Sequence, residues 1–409
     1  MSTLRAFETA VRGRPFTEPA ALLSHLEGPD RAAHVVAACR AVEAARHAWA
    51  PDQIEELRRL LCCASWIEGH ATHLHRVQLP ELLGHPDVAG FAAREPAAAA
   101  RGLELHRAGL RLSVAVGEGV LRAGGPYQTP HRRSLTRLRP QLDDALAAAV
   151  ETAHWVSGVA VPESVLDVPL LALDDPVTGP VGHGRARYPT DGGAGVLAST
   201  GLGFPLDEFE SFVQRARSGP LSSGRATLRG AKASLTGPLA RNALCGHLLG
   251  PVALGAARRA GLTAQERNPY RSALIRAVEL VHALEEAAAL VDGYEPPEPA
   301  PAPAGGSGRG LSAVEGPSGL VYQRYDVLAD GVVGAVRLIG PDELNRSAIE
   351  LDLRRTERSA RRRDPEIDSS RLAELRAVLT HNYQPRVPGP ARTGTNGPDR
   401  PAHAAGPYR

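Results

Sequence analysis

The chain has 409 residues, 43% of them hydrophobic but only 4% aromatic, and carries a formal net charge of +2. That length buries a large core divided among two or three subdomains, and a near-neutral balance excludes bulk attraction to nucleic acid or membrane. No apolar run reaches the length of a membrane span and no signal-peptide pattern follows Met1, so a soluble, cytosolic protein is expected.

The first chemical feature is "LEGPD" (26–30), a Gly28-Pro29 turn that sets Glu27 and Asp30 three positions apart at the mouth of a helix. Two such groups with x-x spacing are a common way to hold a metal. Apolar residues then recur at helical spacing over 30–46 and 50–76, with Pro51-Asp52 suited to a first turn. Within the second helix, "WIEGHATHLH" (66–75) offers Glu68, His70, His73 and His75. The order is not H-E-x-x-H, so a zinc-hydrolase reading fails, and an amphipathic helix with these groups satisfied by partners is expected. Residues 87–123 read as helical too. "VAVGEGVLRAGG" (114–125) has glycines but neither a preceding strand nor a following Lys-Ser, so it is no phosphate loop.

A loop over 123–133 leads into a helix over 135–157, which Pro140 bends or begins. Short apolar pieces over 160–235, broken by Gly, Pro and Asp, predict small strands. Helices resume over 237–292. "YEPPEPAPAPAGGSGRG" (294–310) reads as an extended connector, and alternation around Asp330-Gly331 as a β-hairpin. Helices over 344–359 and 369–382 precede a Pro/Gly/Arg-rich tail from Pro385, expected to be disordered. The division is thus a helical core over 1–293 with its β-containing insertion, the connector, a β-plus-helix unit over 311–384, and the tail over 385–409.

Cys39, Cys62, Cys63 and Cys245 form no C-x-x-C pair and read as buried free thiols. The basic clusters "RGRP" (12–15) and "SARRRDPEID" (359–368) read as solvated faces, with docking to an acidic partner as the alternative.

Read in order, "FETAVRGRPFTE", "LRRLLCCASWIEGHATHLHRVQLPELLG", "GGPYQTP", "YPTDGG", "GPLARNAL", "ERNPYRSALIRAVEL", "YEPPEP", "GPSGLVYQRYDV", "LNRSAIELDL" and "HNYQP" resemble blocks of the large (alpha) subunit of cytosolic nickel–iron hydrogenases, the branch coupled to soluble electron carriers. The match runs from Phe7 to about Pro388. The resemblance implies a mainly α (α+β) fold, a central bundle of long helices with small β-containing subdomains. It also implies a partner subunit carrying iron–sulfur clusters, and nickel and iron held by two C-x-x-C motifs. Those motifs fall on Glu27 to Asp30 and on Arg386 to Gly389, so all four thiolate positions differ here. The family's arginine over the open metal position falls on Ser318, and Arg392 stands near its terminal histidine. Asn345, in a loop behind the family's ligands, is retained.

Nickel and low-spin iron need bridging thiolates, which carboxylates do not replace. At about 4 Å and an effective dielectric near 20, two unit charges interact by about 4 kcal/mol, so a dication beside Arg386 would meet roughly twice that in repulsion. The resulting expectations are no cofactor and no hydrogen-splitting activity. An ion-pair cluster of Glu27, Asp30 and Arg386 would stand in the metal's place, in a structural or regulatory subunit (a pseudoenzyme) of a cytosolic complex with an iron–sulfur small subunit, without nucleic acid or membrane span. The alternative is an oxidoreductase subunit using another cavity ligand, or a hard metal on Glu27, Asp30 and a histidine such as His34.

Overall fold

The computed structural model describes residues 3–174, 187–216, 224–298 and 305–383. Arg386, Gly389 and Arg392, and with them the predicted tail, lie outside the described residues.

Two short helices open the chain, α1 (Thr3–Val11) and α2 (Glu18–Leu23), followed by α3 (Arg31–Arg46) and α4 (Asp52–His73). The expected helix over 50–76 ends its α-turns at His73 and passes through a π-turn, Leu74–Gln78, into α5 (Leu79–Leu82). The single stretch expected over 87–123 is two helices, α6 (Val88–Arg94) and α7 (Pro96–Val116). Pro96 cannot donate to the preceding turn and starts a new helix at its first position. Proline acts the same way at Pro140, which sits in the first turn of α9 (Arg139–Ser157), after α8 (Arg132–Thr136).

The insertion holds β1 (Leu171–Asp174), β2 (Gly195–Ala198), β3 (Gly203–Pro205), α10 (Phe209–Phe212), β4 (Val213–Arg215) and β5 (Ala226–Leu228). Then come α11 (Pro238–Cys245), α12 (Pro251–Arg259) and α13 (Ser272–Gly293). The last part is an antiparallel meander, β6 (Gly308–Gly316), β7 (Gly319–Val327) and β8 (Val333–Ile339), followed by α14 (Pro341–Arg363) and α15 (Ser369–His381). β6 thus begins at Gly308, within the stretch expected as connector, and a second hairpin, turning at Pro317-Ser318, precedes the expected one.

The bundle is built on α4 and α13, which pack on each other while α7 and α9 cover them. Both are buried on nearly every side: Leu57, Leu60, Trp66 and Ile67 of α4 and Ile275, Val278, Leu280 and Val281 of α13 are among their buried residues. The meander lies on α3, whose alanines allow a very close approach. A Cβ at Gly310 would stand 2.1 Å from Ala41 O and 2.2 Å from Ala45 N, so only glycine fits there. The insertion closes the sheet's other side, with Phe209 stacked on Tyr322 at 4.1 Å between centroids. No described helix is long and apolar enough to cross a membrane.

Candidate functional site

Three segments far apart in sequence meet at one place: the turn before α3, the β6–β7 turn and the C-terminal half of α4. Gly69 of α4 makes room for them, since a Cβ there would lie 3.1 Å from Pro317 and 3.2 Å from Pro29. Ser65 Oγ, one turn earlier, donates to Pro29 O at 2.8 Å.

The two carboxylates of the opening turn part company. Asp30 is buried and its Oδ1 accepts from the Ser318 backbone N–H at 2.9 Å, tying the two turns together. Glu27 is exposed and, among the described residues, makes no ion pair. Local geometry separates them: Asp30 stands at the N-terminus of α3, whose axis directs it inward, while Gly28, at φ +109°, reverses the chain between them. The cluster proposed for Glu27, Asp30 and Arg386 thus has one buried member among its described residues. Ser318 is also buried, and its carbonyl accepts from Asn345 Nδ2 at 3.5 Å while Asn345 Oδ1 accepts from Thr236 N at 2.8 Å. Gly237, at φ +101°, lies so close beneath that a Cβ would stand 2.5 Å from Ser318 O.

Beneath the turns runs a polar seam that sequence reasoning missed. It comes from polar and charged side chains at i, i+3, i+4 and i+7 spacing inside two buried helices: Arg59, Cys63, His70 and His73 on α4, and Arg276, Glu279, His282 and Glu286 on α13. The helices run antiparallel, so Arg59 meets Glu286 at one end and His70 Nε2 stands 2.9 Å from Glu279 Oε2 at the other. From α11, Arg241 grips Glu279 with two hydrogen bonds of 2.7 and 2.9 Å and Glu315 with one of 2.9 Å. It also donates to the carbonyls of Gly316 at 3.0 Å and Pro317 at 3.3 Å. Its guanidinium lies over the Trp66 ring at 4.2 Å. Arg241 therefore fixes the β6–β7 turn from below.

One guanidinium serves two carboxylates here, and their acidities diverge. Glu279, which also accepts from Tyr188 at 2.7 Å, is held well below the ordinary carboxylate range by Arg241 and His70 against the opposing effect of burial. Glu315 has the smaller share of the cation, and burial lifts it to about 7. Desolvation lowers His70 to about 4, so it is neutral.

The other histidines of "WIEGHATHLH" have partners as expected, although the helix is buried rather than amphipathic. His73 Nε2 lies 2.6 Å from His381 O, and His75 Nδ1 lies 3.0 Å from Ala71 O. The chain after α15 is anchored there too: Asn382 O accepts from Ser272 at 3.0 Å and Arg276 at 3.1 Å. Burial lowers Arg276 to about 9. At the far end of the seam, Arg58 makes a bidentate pair with Glu43, and Arg40 links Glu55 to Asp191 of the "YPTDGG" block.

The four cysteines are buried free thiols, as expected. Desolvation pushes Cys39 and Cys245 up to about 12, so neither offers a thiolate. No group of three or more potential metal ligands occurs among the described residues. His34, the histidine of the hard-metal alternative, turns to Gln323, whose Nε2 lies 3.3 Å from its Nδ1.

No protein-family model matches the chain. The alpha subunit of sulfhydrogenase 1 from Pyrococcus furiosus is 23% identical over 395 residues, covering 94% of this chain and 88% of that protein. Among solved structures, an NAD+-reducing [NiFe]-hydrogenase in the H2-reduced state superposes with a TM-score of 0.80 at 20% identity, over 93% of this chain and 90% of that one. The Ni-Fe-Se hydrogenase of D. vulgaris Hildenborough superposes with a TM-score of 0.67 at 15% identity, over 93% and 91%.

These relatives overturn the expectation of a chain with no cofactor. They are hydrogenases, two of them named for nickel and iron, so ligand substitutions read from sequence do not establish a cofactor-free protein. Among the described residues, the junction holds a backbone-bonded carboxylate, Asp30, and no cysteine.

Proposed function

We propose, from the premise that this chain belongs to the large-subunit family of nickel–iron hydrogenases, that it acts as a structural or regulatory subunit of a cytosolic redox complex and does not split hydrogen. Its partner in this reading is an iron–sulfur small subunit of the hydrogenase type. One observation carries the reading. At the junction where the resemblance puts metal ligands and an activating arginine, Asp30 is committed to the Ser318 amide, and a serine occupies the arginine's place. A carboxylate engaged in positioning a turn is a poor group to activate dihydrogen, and a serine hydroxyl supplies no cation above the reacting position.

Arg241 supports the same reading, because hydrogen bonds to Gly316 and Pro317 fix the turn through protein groups. The test is co-expression of the full chain with a hydrogenase-type iron–sulfur small subunit, followed by affinity purification. The expected outcome is a stable complex showing iron–sulfur absorbance, with no hydrogen-dependent reduction of a viologen dye. Hydrogen uptake that tracks stoichiometric nickel would overturn it, as would a chain that isolates alone under conditions where the small subunit is folded.

A further inference from the structure

The second half of α14 carries a basic face that nothing in the redox reading uses. At about 100° per residue, Leu351, Arg354, Arg355, Arg358, Arg361 and Arg362 fall within a sector of about 120° along one side of the helix. The five arginines and Leu351 are exposed, Arg354 to 72% and Leu351 to 42%. The acidic residues of this stretch lie at the sector's flanks. Glu350 reaches Arg225 of β5's approach at 2.6 Å, Glu357 pairs with Arg376 of α15, and Asp352 is buried, accepting from Tyr383 at 2.6 Å.

The helix's negative charge is thus spent on the protein side. Arg355 pairs with Asp352 at 2.8 Å and Arg354 only loosely with Glu350 at 3.9 Å. Among the described residues, Arg358 and Arg362 have no carboxylate partner, Arg361 acts on Glu357 only through space, and Arg358 Nε donates only to the Arg354 carbonyl. From Arg354 to Arg362 the face is about 12 Å long, at 1.5 Å per residue.

We propose that this face of α14 docks an acidic protein surface, such as a helix or loop presenting three or four carboxylates, with Leu351 making an apolar contact at its head. The charge balance favours protein over nucleic acid. The whole chain has a net charge of only +2 and a pI near 8.4, without the domain-wide basic field that tracks a phosphate backbone. Guanidinium forks also suit bidentate pairing with carboxylates. The inference is independent of whether an iron–sulfur subunit binds elsewhere.

The experiment uses the full chain and a short fluorescein-labelled poly-L-glutamate as probe, read by anisotropy at low salt, beside a DNA duplex of equal charge and phosphatidylglycerol vesicles. Two triple variants are compared at Arg358, Arg361 and Arg362, all to Glu or all to Gln. The control is Arg107→Glu with Arg111→Glu, a pair exposed on α7. Polyglutamate should bind, weaken with salt, and lose about tenfold or more in affinity with the Glu triple and less with the Gln triple, while the control is unchanged. Equal binding by the Glu triple and the unmodified chain would overturn the proposal. So would tighter binding of the duplex or vesicles, or an equal loss in the control. Matching thermal melts for the variants exclude unfolding as the cause.

Discussion

Replacing Arg241 by methionine is the most searching single change. Methionine fills most of the space and keeps contact with Trp66, so the loss is chiefly electrostatic. It removes five hydrogen bonds, three to the carboxylates of Glu279 and Glu315 and two to the carbonyls of Gly316 and Pro317. Both carboxylates are buried, so each would face the low-dielectric interior without its cation. Breaking one side of a buried, hydrogen-bonded ion pair costs about 3–5 kcal/mol, much of a typical domain stability of about 5–15 kcal/mol. The Tyr188 hydroxyl, 2.7 Å from Glu279, softens the loss only in part. The assay is urea unfolding followed by circular dichroism, with slopes compared to check that the transition stays cooperative. The sharper measurement is the double variant Arg241→Met with Glu279→Leu. Removing the orphaned carboxylate should recover about 1–3 kcal/mol, so the double variant should be more stable than the sum of the single changes. An Arg241→Met chain within about 1 kcal/mol of the original, or strictly additive losses, would refute the argument that this guanidinium holds the β6–β7 turn.

Further outcomes follow from the same structure. Glu315 keeps its proton in the fold to about 7, whereas the unfolded chain releases it near 4.5, so its contribution is full below about 4.5 and is lost as pH rises through about 7. Glu315→Gln should flatten that fall, which is on the order of 3 kcal/mol, in urea midpoints measured from pH 5 to 8. His70 and His75 act in the opposite sense: lowered to about 4 by burial, they contribute fully above about 6.5 and lose that contribution as pH falls toward 4. His70→Gln should shift the acid-unfolding midpoint downward. Asp30→Ala should cost about 1–3 kcal/mol by leaving the Ser318 amide without an acceptor, Asp30→Asn should restore most of it, and Glu27→Gln should stay within about 0.5 kcal/mol. Gly310→Ala should destabilise by about 1–3 kcal/mol, because a Cβ there meets the α3 backbone, read as a lowered melting temperature.

The parts of the fold legible in the sequence are those whose cause is local. Apolar periodicity marks α4 and α13, Pro140 marks the start of α9, and the Asp330-Gly331 turn marks the β7–β8 hairpin. The short helices α1 and α2 escaped because they have little length over which a period shows. The hairpin at Pro317-Ser318 escaped because its strand runs out of a Gly-rich stretch that reads as linker. In the site, the sequence marks Asp30 and Asn345 as candidates, while their hydrogen bonds to Ser318 come from the tertiary structure. Arg241 was not, since "GPLARNAL" contains nothing unusual by itself. A signal existed on the other helix: Arg276, Glu279 and His282 recur at helical spacing within "ALIRAVELVHAL", and buried charges in an apolar helix require partners.

By itself the sequence marked the long helical segments and the resemblance to nickel–iron hydrogenase large subunits. Periodicity and residue identity act over a few neighbours, and so can be read along a line. Only the tertiary structure decided that Asp30 turns inward while Glu27 stays in water, and that one guanidinium from α11 serves carboxylates 38 and 74 residues away. Burial and pairing are properties of what lies across the core, and chain separation carries almost no information about that.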